Sequence, residues 1–264
     1  MARIPTITDQ PRTEGNMNSR TPWPPVVPPP SAPDELRSIP TLQQLYEWTS
    51  VPDERVVIRG VDWAFYEQLV DSIPEGANIH LDYDGKDLEI MGKGRKHEGI
   101  RELFGYLVRL ITEELEIPCK SLGETTWKRP AVARGLEADQ CYYFLSEKLA
   151  MDAAAQENDS DDIADYPNPD LAIEVDVSIP LTDRASIYAA LDVAEVWRFV
   201  GSEVVIERLG DDQSYHPVDV SGLLPVRAVE VRRWIVEEDS RVDWVWARRL
   251  RACARAELAP RLPR

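Results

Sequence analysis

The stretch Leu171-Ala172-Ile173-Glu174-Val175-Asp176-Val177-Ser178 alternates strictly between large aliphatic residues and small or polar ones, which is the pattern of a β-strand. Glu174 and Asp176 fall on one side of that strand, and the larger aliphatic side chains fall on the other. Same-side positions lie about 6.6 Å apart at a rise of roughly 3.3 Å per residue. The pattern therefore predicts a core strand that presents two carboxylates side by side.

A second run of this kind, Leu136-Glu137-Ala138-Asp139-Gln140-Cys141-Tyr142-Tyr143, also indicates a strand that carries an acid. Two carboxylates from one strand can reach one Mg²⁺-sized cation if a neighbouring strand supplies a third oxygen. Asp139 is the candidate for that oxygen. The two runs together predict a divalent-metal site formed by Asp139, Glu174 and Asp176.

Each of these acids has a structural alternative. Glu174 could be a buried carboxylate paired with Arg184 or Arg198, because an unpaired carboxylate in a core would be costly. Asp139 could serve only to accept hydrogen bonds from a loop backbone. Asp176 is either a third metal-side oxygen or an inert replacement, and the spacing does not decide between the two.

The bulk composition is that of a globular protein. The chain has 264 residues, of which 43% are hydrophobic, enough for a sizeable core. It contains no run of about 18 apolar residues and no basic-then-apolar leader, so we expect a cytoplasmic protein with no membrane span. Three scattered cysteines without metal-ligand spacing are expected to be reduced thiols.

The net charge of −17 disfavours contact with a nucleic-acid backbone, because phosphate contacts normally come from Lys and Arg. The charge is unevenly distributed, since residues 227 to 264 contain ten arginines and six acidic residues. The acidic excess therefore belongs to the body of the chain.

Three regions are predicted along the chain. Residues 1–40 hold ten of the 21 prolines and are expected to form a disordered, Pro-rich arm. Residues 41–235 carry the alternating and helical patterns of one α/β domain. Residues 236–264 are predicted to form an Arg-rich helical C-terminal extension.

Within the α/β domain, the order of patterns predicts a mixed β-sheet flanked by helices. The segment from 147 to 166 reads as a solvated acidic insertion. The other predicted elements are a helix at 41–48, a strand at 56–58, a helix at 62–73, a hairpin of 79–83 and 88–91 with a tight Asp84-Gly85 turn, an amphipathic helix at 97–115, a strand around 125–128, a helix capped by Thr182 or Asp183, and a hairpin of 195–200 and 203–209 across Gly201-Ser202.

Several short motifs follow one another in a characteristic order. They are Asp84-Gly85, Leu88-Glu89-Ile90-Met91, His97-Glu98, Gly135-Leu136-Glu137-Ala138-Asp139, Pro169-Asp170-Leu171-Ala172-Ile173-Glu174-Val175, Asp183-Arg184, Tyr188-Ala189-Ala190-Leu191 and Glu195-Val196-Trp197-Arg198. Over roughly residues 55 to 235 this series resembles the Uma-two restriction endonuclease family of the PD-(D/E)XK nuclease superfamily.

The resemblance implies a restriction-endonuclease-like fold and a metal-dependent endonuclease that hydrolyses phosphodiester bonds. Asp139 and Glu174 match acids that ligate Mg²⁺ or Mn²⁺, and His97 and Glu98 match the start of a helix beside the site. A hard dication takes oxygen ligands and lowers the pKa of a bound water. The implied partner is nucleic acid, DNA rather than RNA, and we also expect a homodimer.

The chain departs from the family pattern at three positions. Ala138 replaces the usual Pro, and Asp176 stands where the superfamily has Lys. Arg184 occupies the slot to which the family commonly relocates that Lys. Arg keeps the positive charge but cannot act as a general base, because its pKa exceeds about 12.

These departures leave two alternatives to an active enzyme. One is a catalytically degenerate nuclease-fold protein that binds nucleic acid or protein. The other is an interaction module that uses the Pro-rich arm and the Arg-rich helices.

A basic cluster formed by Lys93, Arg95, Lys96 and Arg101 could touch phosphates near a helix N-terminus, or could be a solvated loop.

Overall fold

The computed structural model describes residues 39–74 and 76–262, so nearly all of the predicted Pro-rich arm lies outside the described residues. The helices are α1 (Leu42–Trp48), α2 (Trp63–Ser72), α3 (Arg95–Glu114), α4 (Ser146–Glu157), α5 (Arg184–Ala190), α6 (Ala228–Arg232) and α7 (Asp243–Cys253). The strands are β1 (Arg55–Ile58), β2 (His80–Tyr83), β3 (Leu88–Met91), β4 (Lys120–Arg129), β5 (Arg134–Tyr143), β6 (Leu171–Asp176), β7 (Glu195–Val200), β8 (Glu203–Leu209) and β9 (Tyr215–Val218).

The strands form one mixed sheet with the order β1-β3-β2-β5-β6-β7-β8-β9, and β4 pairs with β5 outside this path. Strands β6 and β7 are parallel and are joined by α5, whereas the other pairs are antiparallel. A mixed sheet flanked by helices confirms the predicted fold class, including its single helix-bearing crossover.

Strand β5 has a gap along one of its edges. Leu136 pairs with both β4 and β2, and Tyr142 pairs with both β4 and β6. Because a strand has two edges, β2 and β6 must share the edge opposite β4, one at each end. Residues 137–139 lie between them, and at this fork the acids of β2, β5 and β6 approach one another.

The two faces of the sheet are covered by different helices. Leu171, Ile173 and Val175 of β6 belong to the core that includes α3, α6 and α7. Ala172, on the alternate face, belongs to a second core that includes Ile187 and other α5 residues. The period-2 pattern of β6 therefore decides which helix each of its side chains meets.

The hairpin between β2 and β3 differs from its prediction. Tyr83 pairs with Leu88, so the connection has four residues rather than the two of a tight Asp84-Gly85 turn. Asp84 closes this loop, because its side chain accepts hydrogen bonds from the backbone N–H groups of Lys86 and Asp87. The hairpin at Gly201-Ser202 has the predicted bounds.

The predicted acidic insertion is wrong in its first half, where α4 spans Ser146–Glu157. The alanines of this segment favour a helix, and Asp152 and Ala155 lie on its buried side. Strand β4 is longer than predicted, and β9 was not predicted at all.

The C-terminal helices pack on the body of the protein. Trp246 and Leu250 of α7 are fully buried in the same core as Leu107 of α3. Within the described ranges, no helix has both the length and the apolar character that crossing a bilayer requires.

Candidate active site

Arg184 is the centre of a buried cluster of acids. Asp183 caps the N-terminus of α5 through the backbone N–H of Ser186, so Arg184 is the first helical residue. Its Nε donates to Oδ2 of Asp82 at 2.7 Å. Its Nη1 donates to Oε2 of Glu174 at 2.8 Å and to Oδ1 of Asp176 at 3.0 Å. One guanidinium thus links β2 to β6 across the fork.

A second helical residue and a second arginine complete the cluster. The hydroxyl of Tyr188, one turn after Arg184, donates to Glu174. Arg55 of β1 pairs with Glu89 and lies 3.4 Å from Oδ1 of Asp176. Because α5 supplies both Arg184 and Tyr188, the position of this helix determines the arrangement of the β6 carboxylates.

Asp139 sits at a β-bulge. Asp139 and Gln140 of β5 stand opposite the single residue Glu124 of β4, between the pairs at Ala138 and Cys141. Such a bulge changes the direction in which the side chains of the bulged strand point. The Asp139 carboxylate accepts a hydrogen bond from the Val175 backbone at 2.8 Å and lies 3.1 Å from Nε2 of His97, on the α3 side.

Lys93 and its acidic partners lie next to Asp139. The Lys93 ammonium is bound by Glu124 and by Glu137, the latter at 2.8 Å, and lies 3.8 Å from Oδ1 of Asp139. Arg101 pairs with Glu98. The predicted basic cluster is therefore not a free phosphate-binding patch at Lys93 and Arg101, because carboxylates already bind both of them.

Burial sets the ionisation of the β6 acids. Burial raises the pKa of Glu174 to about 8, although Arg184 lowers it, and the neighbouring carboxylates add to the rise. Burial also raises the pKa of Asp176 against the lowering effect of Arg184. Both shifts indicate that the arginine partners offset only part of the cost of burying a charged carboxylate.

The pKa values of Asp82 in β2 and Asp139 in β5 are lowered rather than raised. Burial opposes ionisation of Asp82, but the charges of Arg184 and His80 lower its pKa to about 2. Burial likewise opposes ionisation of Asp139, yet its hydrogen bond with His97 holds the pKa of Asp139 well below its usual range. Asp82 and Asp139 are therefore ionised throughout the neutral range.

Two of the predicted metal ligands keep an unsatisfied oxygen. Oδ1 of Asp139 and Oδ2 of Asp176 are buried and have no hydrogen-bond partner among the described residues. Unsatisfied carboxylate oxygens in a core are costly, and a hard cation is the partner they fit. In this arrangement, however, no three His, Cys, Asp or Glu side chains of the described chain are placed to hold a metal ion.

A cleft of about 460 Å³ opens beside Lys93. Its polar lining includes Lys93, Glu98, Glu124 and Glu137, and its apolar side comes mainly from the segment between α2 and β2, with Val70 and Leu81 from the two elements themselves. The acids of the fork themselves are closed off, since Asp139, Glu174 and Asp176 are at most 2% exposed. The cleft reaches the buried acids through Lys93, whose ammonium lies 3.8 Å from Oδ1 of Asp139.

The structure divides the six predicted site residues into two adjoining groups. Glu174, Asp176 and Arg184 lie together against α5, as the structural alternative for Glu174 anticipated. The other three, Asp139, His97 and Glu98, lie together on the α3 side, where Asp139 also accepts a backbone hydrogen bond. Their roles in catalysis and metal binding stay predictions.

Sequence reasoning missed four members of the cluster, namely Arg55, His80, Asp82 and Glu89. A signal was present in the short strands that carry them. His80-Leu81-Asp82-Tyr83 and Leu88-Glu89-Ile90 each alternate, with polar residues on one face, just as β6 does.

The chain was compared with known proteins. Residues 63–235, well over half of the chain, match the Uma2 family, described as "Putative restriction endonuclease". The curated proteins include no match to this chain. The matched range contains β2 to β8, and hence the strands of the fork with α3 and α5.

Proposed function

Because the chain belongs to the Uma2 family of restriction-endonuclease relatives, we propose that it is a metal-dependent endonuclease that cleaves phosphodiester bonds of nucleic acid. The proposed ligands of Mg²⁺ or Mn²⁺ are Asp139, Glu174 and Asp176, and the proposed substrate is DNA rather than RNA. The observation that carries this proposal is that one buried oxygen of Asp139 and one of Asp176 accept no hydrogen bond from the described residues.

The bound cation would lower the pKa of a water molecule that attacks the phosphate. It would also stabilise the negative charge that develops at the scissile phosphate. The protein supplies Asp139 as an ionised ligand. A bound cation would favour the ionised forms of Glu174 and Asp176, whose pKa values burial raises. His97 lies 3.1 Å from one oxygen of Asp139, and the other oxygen accepts no hydrogen bond from the described residues. His97 therefore acts as a positioning residue, because it orients a carboxylate rather than touching the substrate.

Arg184 orients the β6 acids from the opposite side. Its guanidinium stays charged at all accessible pH values, since the surrounding carboxylates raise its pKa further although burial lowers it. Arg184 can therefore hold carboxylate or phosphate oxygens but cannot accept the proton of an attacking water. Because Arg replaces Lys, the residue at this position can contribute a positive charge and hydrogen bonds but no proton transfer.

The cleft beside Lys93 supports an approach of the substrate from the α3 side. Lys93 lines the cleft and lies 3.8 Å from Oδ1 of Asp139, so it connects the open space to the buried acid. The carboxylates of Glu98, Glu124 and Glu137 line the same cleft. Such a lining repels bare phosphates, and a bound cation would reduce that repulsion.

Cleavage of nucleic acid tests the proposal directly. Supercoiled plasmid, linear duplex, single-stranded DNA and RNA are incubated with Mg²⁺, Mn²⁺ or EDTA. We expect metal-dependent cleavage of DNA, and a loss of about 100-fold or more in Asp139→Asn, because it weakens a direct ligand. Asp71→Asn, at an exposed Asp that pairs with Lys128 on the surface, is the matched control.

A second candidate function is a nuclease-fold module that binds nucleic acid without cutting it. The observation in its favour is the central position of Arg184, which already neutralises the acids that a cation would need. Wild-type protein that binds labelled DNA in Ca²⁺ but leaves every substrate intact in Mg²⁺ and Mn²⁺ supports the module. Cleavage that survives Asp139→Asn unchanged contradicts the proposed ligand set.

A further inference from the structure

The Arg184 guanidinium lies where the carboxylates of two strands converge. Asp82 of β2 and the β6 acids Glu174 and Asp176 all bind it at 3.0 Å or less, and all are at most 2% exposed. Glu89 is next, 3.8 Å from Nη2. The cluster is thus organised around a cation that belongs to the protein.

A guanidinium and a divalent metal ion cannot share these oxygens. Mg²⁺ takes its ligands at about 2.0–2.1 Å from one point. Arg184 holds three carboxylate oxygens with two nitrogens, Nε and Nη1, and each oxygen lies 2.7 to 3.0 Å from its nitrogen. This separation accounts for the finding that no three acidic, His or Cys side chains in the described part of the chain are placed for a metal.

We propose that Arg184 and a divalent cation are alternative occupants of one site formed by Asp82, Glu174 and Asp176, so that loading of the metal displaces the guanidinium. This inference rests on the proposed function and adds Asp82 to its ligands. Oδ2 of Asp176, buried and without a hydrogen-bond partner among the described residues, is the oxygen free to start the exchange.

The partners of each acid determine which of them can exchange. Glu89 already accepts hydrogen bonds from the backbone N–H groups of Leu181 and Thr182 and pairs with Arg55. It therefore holds the loop before α5 and stays out of the exchange. Asp82 keeps the imidazole of His80 at 3.0 Å when Arg184 leaves, so this acid remains positioned.

The wild-type protein allows a test that requires no substitution. Protein labelled with ¹⁵N at arginine is titrated with Mg²⁺, and the Nε–H signals are followed by NMR. We expect the signal of Arg184, whose Nε donates to Asp82, to shift or to exchange faster with water as Mg²⁺ binds. The Nε–H of Arg232, which donates to Glu203 at the surface, is the internal reference and should not change.

Substitution tests the same competition by calorimetry with Mn²⁺. Arg184→Met removes the charge at similar size, and we expect Mn²⁺ to bind it on the order of 10- to 100-fold more tightly than wild type. Adding Asp176→Asn to Arg184→Met should cancel that gain. Arg129→Met is the matched control, at an arginine that donates to the backbone carbonyls of Ile163, Tyr166 and its neighbour Lys128 and lies over the Trp127 ring.

The inference is overturned if Mg²⁺ binds while the Arg184 signal stays unchanged, if wild type binds no Mg²⁺ at millimolar concentration, or if a folded Arg184→Met protein binds Mn²⁺ no better than wild type. None of these measurements uses cleavage. DNA cleavage without competition therefore removes this inference alone, and competition without cleavage removes only the endonuclease.

Discussion

At the scale of single residues, the buried charges of the fork are stable only as a set. Each carboxylate around Arg184 loses hydration on folding, which costs free energy. The ion pair with its partner compensates that cost, and removal of the partner leaves a buried charge without compensation. Asp82 illustrates the dependence, because it is fully buried between Arg184 and His80. The protonation of His80 is therefore a stability determinant.

His80 predicts a specific pH dependence of stability. Burial lowers the pKa of His80, but Asp82 outweighs burial and raises it to about 9 from 6.5. The stabilisation is complete below pH 6.5 and is lost as pH rises through 9, with at most about 3 kcal/mol at stake. Urea unfolding between pH 6 and 9.5 should show this loss, and His80→Gln should reduce it.

The control for this experiment is His216→Gln, at an exposed imidazole paired with Asp212 on the surface. Some slope should persist in His80→Gln. The pKa of Glu174 is raised to about 8 mainly by burial, so its folded-state proton is also lost in this range. Identical pH profiles for wild type and His80→Gln would show that His80 is neutral in the folded protein.

At the scale of elements, two glycines with open space around them predict opposite effects. Gly201 joins β7 to β8 at φ +68°, a backbone conformation that favours glycine, whereas Gly99 is an ordinary helical residue of α3. Gly201→Ala should destabilise the protein by about 1 kcal/mol, and Gly99→Ala should stabilise it by about 0.5–1 kcal/mol. Urea unfolding measures both, and equal signs would contradict the assignment.

The elements that sequence reasoning predicted correctly carry strong local signals. Helix α3 has one continuous apolar stripe, and the β7–β8 hairpin has Gly201 at a left-handed turn. Helix α4 lacked such a signal, because its buried side is made of small and acidic residues such as Ala155 and Asp152. Its acidic composition resembled a solvated loop, and only tertiary packing decided otherwise.

The candidate site was predictable only in part for a similar reason. Period-2 alternation placed Glu174 and Asp176 on one face of β6, and the structure confirms this placement. The bulge that turns Asp139 toward α3 depends on pairing with β4, which no local pattern reports. The contribution of Asp82 depends on β2 joining β5 beside β6, a long-range property of the sheet.

At the scale of the whole molecule, charge limits how the protein can meet nucleic acid. The net charge is −17, and the Arg-rich C-terminal region does not offset it at the surface. Arg232, Arg249, Arg255 and Arg261 are each paired with a glutamate within 4 Å. These four arginines can neutralise phosphates only if they leave their glutamates.

This charge distribution predicts that binding to DNA depends only weakly on monovalent salt. Each neutralised phosphate contributes about −0.9 to the slope of log K against log salt, so one to three contacts give a slope of roughly −1 to −3. Fluorescence anisotropy of a labelled duplex, with Ca²⁺ in place of Mg²⁺ between 50 and 300 mM NaCl, measures it. A slope near −6 would mean that the arginines leave their glutamates for the backbone, and the C-terminal helices would then be the DNA-binding surface.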